Sequence, residues 1–211
     1  RPRAMRYLFI GDIHGCIEEL RDLLDLAALG ADDLVVSLGD IVRKGPDALA
    51  CARLIRERGG RAVLGNNEDK LLRNPFRRIV QNRELMRYVS KLPYVLDFPA
   101  IGVRAVHGGV LPDGRLNRKI ATTLRWLKRG KRGWEPSGQK QKPGEVFWAE
   151  VWDGDRLVVY GHTPRKEPRI DRKAIGVDTG CVYGGKLTGV LFHGPGEWQL
   201  LQVPARRKYS D

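Results

Sequence analysis

The chain has 211 residues, 42% hydrophobic and 30% charged, and carries 38 Lys and Arg against 25 Asp and Glu for a net charge of +13. That length supports one sizeable core, and the composition excludes wholesale disorder. The longest apolar runs, such as Leu34-Val35-Val36, are far too short to span a bilayer and no charged-then-apolar leader opens the chain, so a cytoplasmic protein with no membrane partner is expected.

Met5 is the first methionine, and residues Arg1 to Ala4 are set aside from the fold argument. Tyr7-Leu8-Phe9-Ile10 is a short apolar run ending at Gly11, which predicts a strand. Ile17, Leu20, Leu24 and Ala27 follow at helical spacing, with Glu18 and Glu19 in the first turn where the helix dipole favours carboxylates, and Gly30 stops the helix. Leu34 to Leu38 repeats the strand and ends at Gly39-Asp40. A second helix opens at Pro46 and runs to Gly59-Gly60, after which Arg61 to Leu64 is a third strand ending at Gly65-Asn66. Two successive β-α-β units predict a parallel sheet with helices on its faces.

Glu68 to Lys91 reads as mostly helical; Pro93 then introduces two strand-like runs, Tyr94 to Phe98 and Ile101 to Val106, the second delivering His107. Leu157 to Tyr160 delivers His162 in the same way, and Ala174 to Val177 delivers Asp178. A last hairpin is expected, with Gly184-Gly185 as its turn and strands at Leu187 to Phe192 and Trp198 to Val203. This is too much sheet for one layer, so the expected fold is α/β, a two-sheet αββα sandwich forming a single domain over residues 1–211. One segment breaks the rhythm: Arg115 to Lys142 has ten Lys or Arg against the single acid Glu135, with Trp126 and Trp134 interleaved, and is expected to form a basic cap or loop insertion at 113–145. With the overall charge, it predicts attraction to polyanions such as nucleotides, RNA or phosphoproteins; the bland alternative is a merely solubilised surface. Cys16, Cys51 and Cys181 match no zinc or redox spacing and are read as buried thiols without a functional role.

Gly11-Asp12-Ile13-His14-Gly15, Gly39-Asp40-Ile41-Val42, Gly65-Asn66-Asn67-Glu68, His107-Gly108-Gly109 and Gly161-His162-Thr163 occur in that order, each where a predicted strand ends. Ligand sites of open α/β sheets lie outside the carboxyl ends of the strands. Asp12 and His14, two residues apart, can face one cation; Asp40 can bridge two with its two oxygens; Asn66 offers an amide oxygen, and His107 and His162 offer nitrogens. Each motif alone reads as well as a turn or an N-cap. Five in order point to two divalent cations about 3.5–4 Å apart and a dinuclear metallohydrolase.

The ordered blocks GDIHG, GDIVRKGP, GNNED, HGG and GHT resemble the calcineurin-like metallophosphoesterases over most of the chain. The resemblance implies two metals, manganese first with iron, zinc, cobalt or magnesium as alternatives, and attack on phosphorus by a metal-bound hydroxide. It places Asp12, His14 and Asp40 on the first metal, Asp40, Asn66, His107 and His162 on the second, and Asp178 behind the ligands. GDIVRKGPDA, LRWLKRGK and AIGVDTGCVYGGKLTGV look similar to the symmetrical bis(5'-nucleosyl)-tetraphosphatase branch, bordering the Ser/Thr phosphoprotein phosphatases. The implied substrates are dinucleoside polyphosphates or related phosphoanhydrides, with capped RNA or a phosphoprotein as alternatives. Lys44, Arg125 and Arg43 are the expected phosphate-binding residues, although a solvated arginine reads nearly as well at 125.

The resemblance departs from the pattern at two linked positions. The family carries His, a proton donor to the leaving oxygen, where this chain has Asn67, and phosphoprotein phosphatases carry its partner Asp where this chain has Arg43. Asn cannot donate a proton at neutral pH, so the pair favours low-pKa leaving groups, with Arg43 acting electrostatically. Position 67 reads equally as an inactivating change that leaves a nucleotide- or RNA-binding form.

Overall fold

The computed structural model describes residues 4–74 and 82–211. Strands β1 (Tyr7–Ile10), β2 (Leu34–Ser37) and β3 (Arg61–Ala62) run parallel, with helices α1 (Ile17–Ala27) and α2 (Ala48–Glu57) as their crossovers. The Asp47 side chain caps α2 by accepting from the Ala50 N–H at 2.9 Å. α3 (Asn66–Arg73) follows β3 directly, and α4 (Arg83–Val89) packs on α2 and α3; the middle of the helical stretch expected from Glu68 to Lys91, residues 75–81, lies outside the described residues.

Two long C-terminal strands, β12 (Lys186–Gly194) and β13 (Glu197–Pro204), complete the first sheet in the order β13-β12-β1-β2-β3. Their turn lies between Gly194 and Glu197, not at Gly184-Gly185 as expected. Gly184, at φ 87°, instead closes a 3-10 turn over Cys181–Tyr183, and Gly185 is pressed so close to the Thr179 carbonyl that no side chain fits. The second sheet contains β4 (Val95–Phe98), β5 (Val103–Val106), β9 (Leu157–Tyr160), β10 (Arg169–Asp171) and β11 (Ala174–Gly176), ordered β10-β11-β9-β5-β4. Pro99–Ile101 turns as a 3-10 helix, so β5 begins two residues later than the expected run.

The sandwich follows from the period-two alternation of β1. Leu8 and Ile10 face α1 and α2 with Leu20, Leu24 and Ile55, whereas Phe9 points between the sheets onto Val36, Val159, Ile175 and Val190. There its ring meets Phe98 at 5.1 Å and Phe192 at 5.5 Å, both edge-on. Over the outer face of the second sheet lie α6 (Trp148–Val151) and a small sheet, β7-β6-β8, built from β6 (Trp126–Gly130), β7 (Gly133–Pro136) and β8 (Val146–Phe147). The basic segment is therefore largely ordered, as helix α5 (Arg118–Thr123) and the β6–β7 hairpin. Among the described residues no helix is long and apolar enough to cross a membrane.

Because Phe9 belongs to the central strand and touches both sheets, Phe9→Ala should lower stability by about 3–5 kcal/mol. Urea unfolding followed by far-UV circular dichroism measures this, and a loss below about 1 kcal/mol would contradict the packing described.

Candidate metal centre

Each ligand candidate sits just past the carboxyl end of a strand: Asp12 and His14 after β1, Asp40 after β2, Asn66 after β3, His107 after β5, His162 after β9 and Asp178 after β11. Among the described residues six non-glycine residues have positive φ, and five of them, His14 (46°), Asp40 (49°), Arg43 (71°), Lys44 (71°) and His162 (67°), belong to these loops. Such conformations cost on the order of 1–3 kcal/mol each and persist only where surrounding contacts over-determine them.

Those contacts centre on Glu68, a fully buried carboxylate. Its Oε2 accepts from the Asp40 N–H at 2.9 Å and the Gly65 N–H at 3.0 Å, and its Oε1 accepts from the Val42 N–H at 2.9 Å. A side chain in the first turn of α3 thus fixes the loop that carries Asp40. Gly65 admits no Cβ, which would fall 2.3 Å from both the Asp40 nitrogen and its Oδ1. The Gly65-x-x-Glu68 spacing resembles the helix-start pattern in which a carboxylate reaches back to the cap N–H, and this was the one available sequence signal for Glu68.

The ligand candidates converge. Asp12, Asp40 and His107 each bring one ligand atom within 4.8 Å of the others, all buried. His14 Nε2 lies 3.8 Å from Asp12 Oδ2 and 3.6 Å from Asp40 Oδ2, and His107 Nε2 lies 3.5 Å from Asp40 Oδ1. Asn66 Oδ1 is 2.9 Å from both His107 Nε2 and His162 Nδ1. Asp40 is therefore central to both groups.

The tautomers follow from second partners. His14 Nδ1 faces the Val42 carbonyl at 3.1 Å and His107 Nδ1 faces the Leu38 carbonyl at 2.8 Å, so in the neutral rings each Nδ1 carries the proton and each Nε2 turns a lone pair into the cavity. His107 Nε2 and Asn66 Oδ1 then confront each other as two acceptors at hydrogen-bonding distance, an arrangement that a cation between them satisfies. Burial keeps all three imidazoles below their ordinary pKa, His162 well below with His107 and Arg125 adding to the effect. Burial, then the Asp178 and Asp40 carboxylates, hold Asp12 well above the usual carboxylate range; burial likewise pushes Asp178 up to about 6 against the Gly180 N–H it accepts. Neutral imidazoles and crowded, buried acids are what a divalent ion stabilises, since its charge reverses the repulsion among the carboxylates. The oxygen and nitrogen donor set fits manganese, iron or zinc.

The ligand candidates other than the fully buried His107 open onto a cavity of about 240 Å³ that Lys44, Lys70, Asn67, Arg125, Gln139, Asp178 and Tyr183 also line. The Arg125 Nη2 donates to the His162 carbonyl at 2.7 Å while its buried Nε has no partner. Lys44 donates to the Tyr183 hydroxyl and sits 4.7 Å from the centre of that ring. Arg43 lies beside the cavity, in a neighbouring cleft with Val42 and Pro46, and its Nη1 donates to Asn67 Oδ1 at 3.2 Å. Asn67 itself is committed at both ends: its Nδ2 donates to Asp40 Oδ2 at 2.5 Å and its backbone N–H to Asp40 Oδ1 at 2.8 Å. Lys70, Gln139 and Tyr183 escaped the sequence reading. Lys70 was accessible to it, one helical turn beyond Asn67 on the same face of α3.

A family model for calcineurin-like phosphoesterases matches residues 5–194. Among curated proteins, the chain is 27% identical over 244 aligned positions to an asymmetrical bis(5'-nucleosyl)-tetraphosphatase PrpE of Halalkalibacterium halodurans, covering 96% of this chain and 95% of that protein. A protein of the same name from Bacillus cereus is 30% identical, covering 95% of each. Among solved structures, one described as an inferred diadenosine tetraphosphatase superposes with a TM-score of 0.84 at 33% identity, covering 95% of this chain and 94% of that one. A Ser/Thr phosphatase of Saccharomyces cerevisiae, at a TM-score of 0.65 and 14% identity, shares the fold.

Two variants separate ligand from scaffold. Asp40→Asn should abolish tight binding of both Mn²⁺ ions, whereas Glu68→Gln, which keeps every proposed ligand but replaces an acceptor oxygen with a donor, should weaken both about 10–100-fold. Mn²⁺ titration calorimetry on folded protein checks this, and wild-type affinity in Glu68→Gln would show that the loop holds its strained shape without that carboxylate.

Proposed function

The chain belongs to the calcineurin-like phosphoesterase family, and we propose that it is a two-metal phosphohydrolase acting on dinucleoside polyphosphates or related phosphoanhydrides. When bound, the two divalent ions supply Lewis acidity at phosphorus and lower the pKa of water. Asp12, His14, Asp40, Asn66, His107 and His162 would hold them, with Asp178 beside the first group.

The observation that carries the reading is the state of Asn67. Its amide links Asp40 to Arg43 and holds no acidic proton, so the side of the cavity where this family places a donor for the leaving oxygen supplies none at this position. A phosphate leaving group of low pKa departs without such a donor; a serine alkoxide does not. Lys44, Lys70 and Arg125 put cationic groups around the cavity, where they would attract phosphoryl oxygens. The relatives named as tetraphosphatases over nearly the whole chain support the same substrate class. Their names specify asymmetrical cleavage, whereas the motif blocks look similar to the symmetrical branch, and the position of the cut is read from the products. The locked Asn67 also favours a second reading, a nucleotide-binding form with impaired turnover.

A Mn²⁺-loaded panel of a dinucleoside tetraphosphate, an alkyl phosphate and a phosphoserine peptide decides among these. The tetraphosphate should be turned over fastest, giving either a triphosphate with a monophosphate or two diphosphates. Asn67→His should accelerate the alkyl phosphate toward the lower part of the ~10²–10⁴-fold range of a general acid, because Arg43 supplies no carboxylate partner, and the anhydride less. Tetraphosphate bound but unhydrolysed would support the impaired form; preference for the phosphopeptide would reject the anhydride reading.

The hairpin of the basic segment tests polyanion attraction. Neutralising Lys128, Arg129, Lys131 and Arg132 together should raise KM for a tetraphosphate and flatten its salt dependence, with little change for a small monoester. An equal response of both substrates would assign the hairpin a structural role only.

A further inference from the structure

A second set of potential ligands lies outside the cavity. Cys16 precedes α1, Glu19 lies in its first turn, and Cys181 opens the 3-10 turn that follows β11. Their two sulfurs and one carboxylate oxygen fall within 4.8 Å of one another, and all three residues are buried. Cys16 and Glu19 are three residues apart, which brings both to one face of the helix start. Both cysteines are free thiols, and Cys51, also buried, is outside the trio.

Glu19 is wholly inaccessible, and its two oxygens differ. Oε1 accepts from the Arg206 N–H at 2.8 Å and from the Tyr209 hydroxyl at 2.9 Å, while Oε2 is buried with no hydrogen-bond partner. Two donors therefore orient the carboxylate and leave one oxygen without a counterpart, which is costly for a buried acid unless a cation completes it. The C-terminal segment closes over the group, since the N–H groups of Tyr209 and Ser210 donate to the Val182 carbonyl at 2.9 and 3.0 Å. A Cys16–Cys181 disulfide would consume the thiols yet leave Oε2 unsatisfied.

We propose that Cys16, Glu19 and Cys181 bind one thiophilic divalent cation of the zinc class, separate from the metals of the cavity. Binding transfers the two thiol protons to solvent and sets two thiolates and one carboxylate oxygen on the ion, leaving its fourth tetrahedral position open. Zn–S bonds near 2.3 Å and Zn–O bonds near 2.0–2.2 Å need donor separations of roughly 3.5–3.8 Å, and the three atoms already lie within 4.8 Å of one another. Thiolates discriminate for zinc over manganese and magnesium, so the chain would sort cations between an oxygen-nitrogen cavity and a sulfur site. The ion would tie the loop of Asp12 and His14 to the loop of Asp178 and Tyr183, giving the cysteines a role that their spacing did not suggest.

Co²⁺ is the probe, because only a sulfur ligand produces a thiolate-to-cobalt charge-transfer band in the near ultraviolet and the cavity contains none. The reduced full chain should develop this band to one equivalent, and added Zn²⁺ should displace it. Asp40→Asn and Cys51→Ala should keep the band, Cys181→Ala should lose it, and Glu19→Gln, close to isosteric, should weaken Co²⁺ affinity at least ~10-fold. Far-UV circular dichroism establishes that each variant is folded. No band in folded wild type, a band that survives Cys181→Ala, or a Cys16–Cys181 disulfide in chain isolated without reductant would each overturn the proposal.

Discussion

The carboxylate of Glu68 is the constraint on which the site depends. Three backbone N–H groups from two loops end on it, and two of them, Asp40 and Val42, flank the turn that holds Asp40 at positive φ. Glu68 is anchored by α3, α3 follows directly from β3, and β3 is in parallel register with β2, so the sheet's own order determines where the central ligand points. The arrangement is demanding electrostatically. Burial and the adjacent Asp40 push Glu68 up to about 8, against three N–H groups that favour its charged form, and a divalent ion beside Asp40 would relieve that repulsion.

Charge is distributed unevenly through the molecule. A net charge of +13 coexists with a buried centre that gathers Asp12, Asp40, Glu68 and Asp178. Burial keeps each imidazole below its ordinary pKa, while Asp40 is held down to about 2, against its own burial, by His107, His14 and its hydrogen bonds from Asn67. Lys44, Lys70 and Arg125 line the same cavity and place positive charge beside these carboxylates, and divalent ions held there would add to it. On the proposed reading, the surface field would draw an anionic substrate toward this cavity.

What could be read in the sequence was whatever has a local period. Strands with alternating or continuous apolar runs, helices at three-to-four spacing and the glycines closing them gave the two sheets and the strand ends that carry Asp12, Asp40, Asn66, His107 and His162. Where reading failed, the cause was tertiary. Gly184-Gly185 has turn composition, but the hairpin turns between Gly194 and Glu197, and the glycines serve a 3-10 turn and a close approach to Thr179. Arg43 follows the ligand loop in sequence, yet two successive left-handed residues direct it into the neighbouring cleft, a twist no residue type announces. Cys16 and Cys181 are 165 positions apart, and only the return of the C-terminal strands beside β1 brings them together.

Asn67 shows how one side chain can be fixed structurally while bearing on what chemistry is open. Its backbone N–H and Nδ2 both hold Asp40, and its Oδ1 accepts from Arg43, so the amide makes a neutral bridge between a central carboxylate and a guanidinium. An imidazole with a carboxylate partner could shuttle a proton from that position; an amide with a guanidinium partner can only fix geometry and field. On the proposed reading, such a pair would select among reactions by the leaving group, not by the attacking side. On the proposed two-metal reading, the site would polarise phosphorus yet offer no proton at position 67 to a poor leaving group, which would favour bonds whose departing oxygen already bears phosphate.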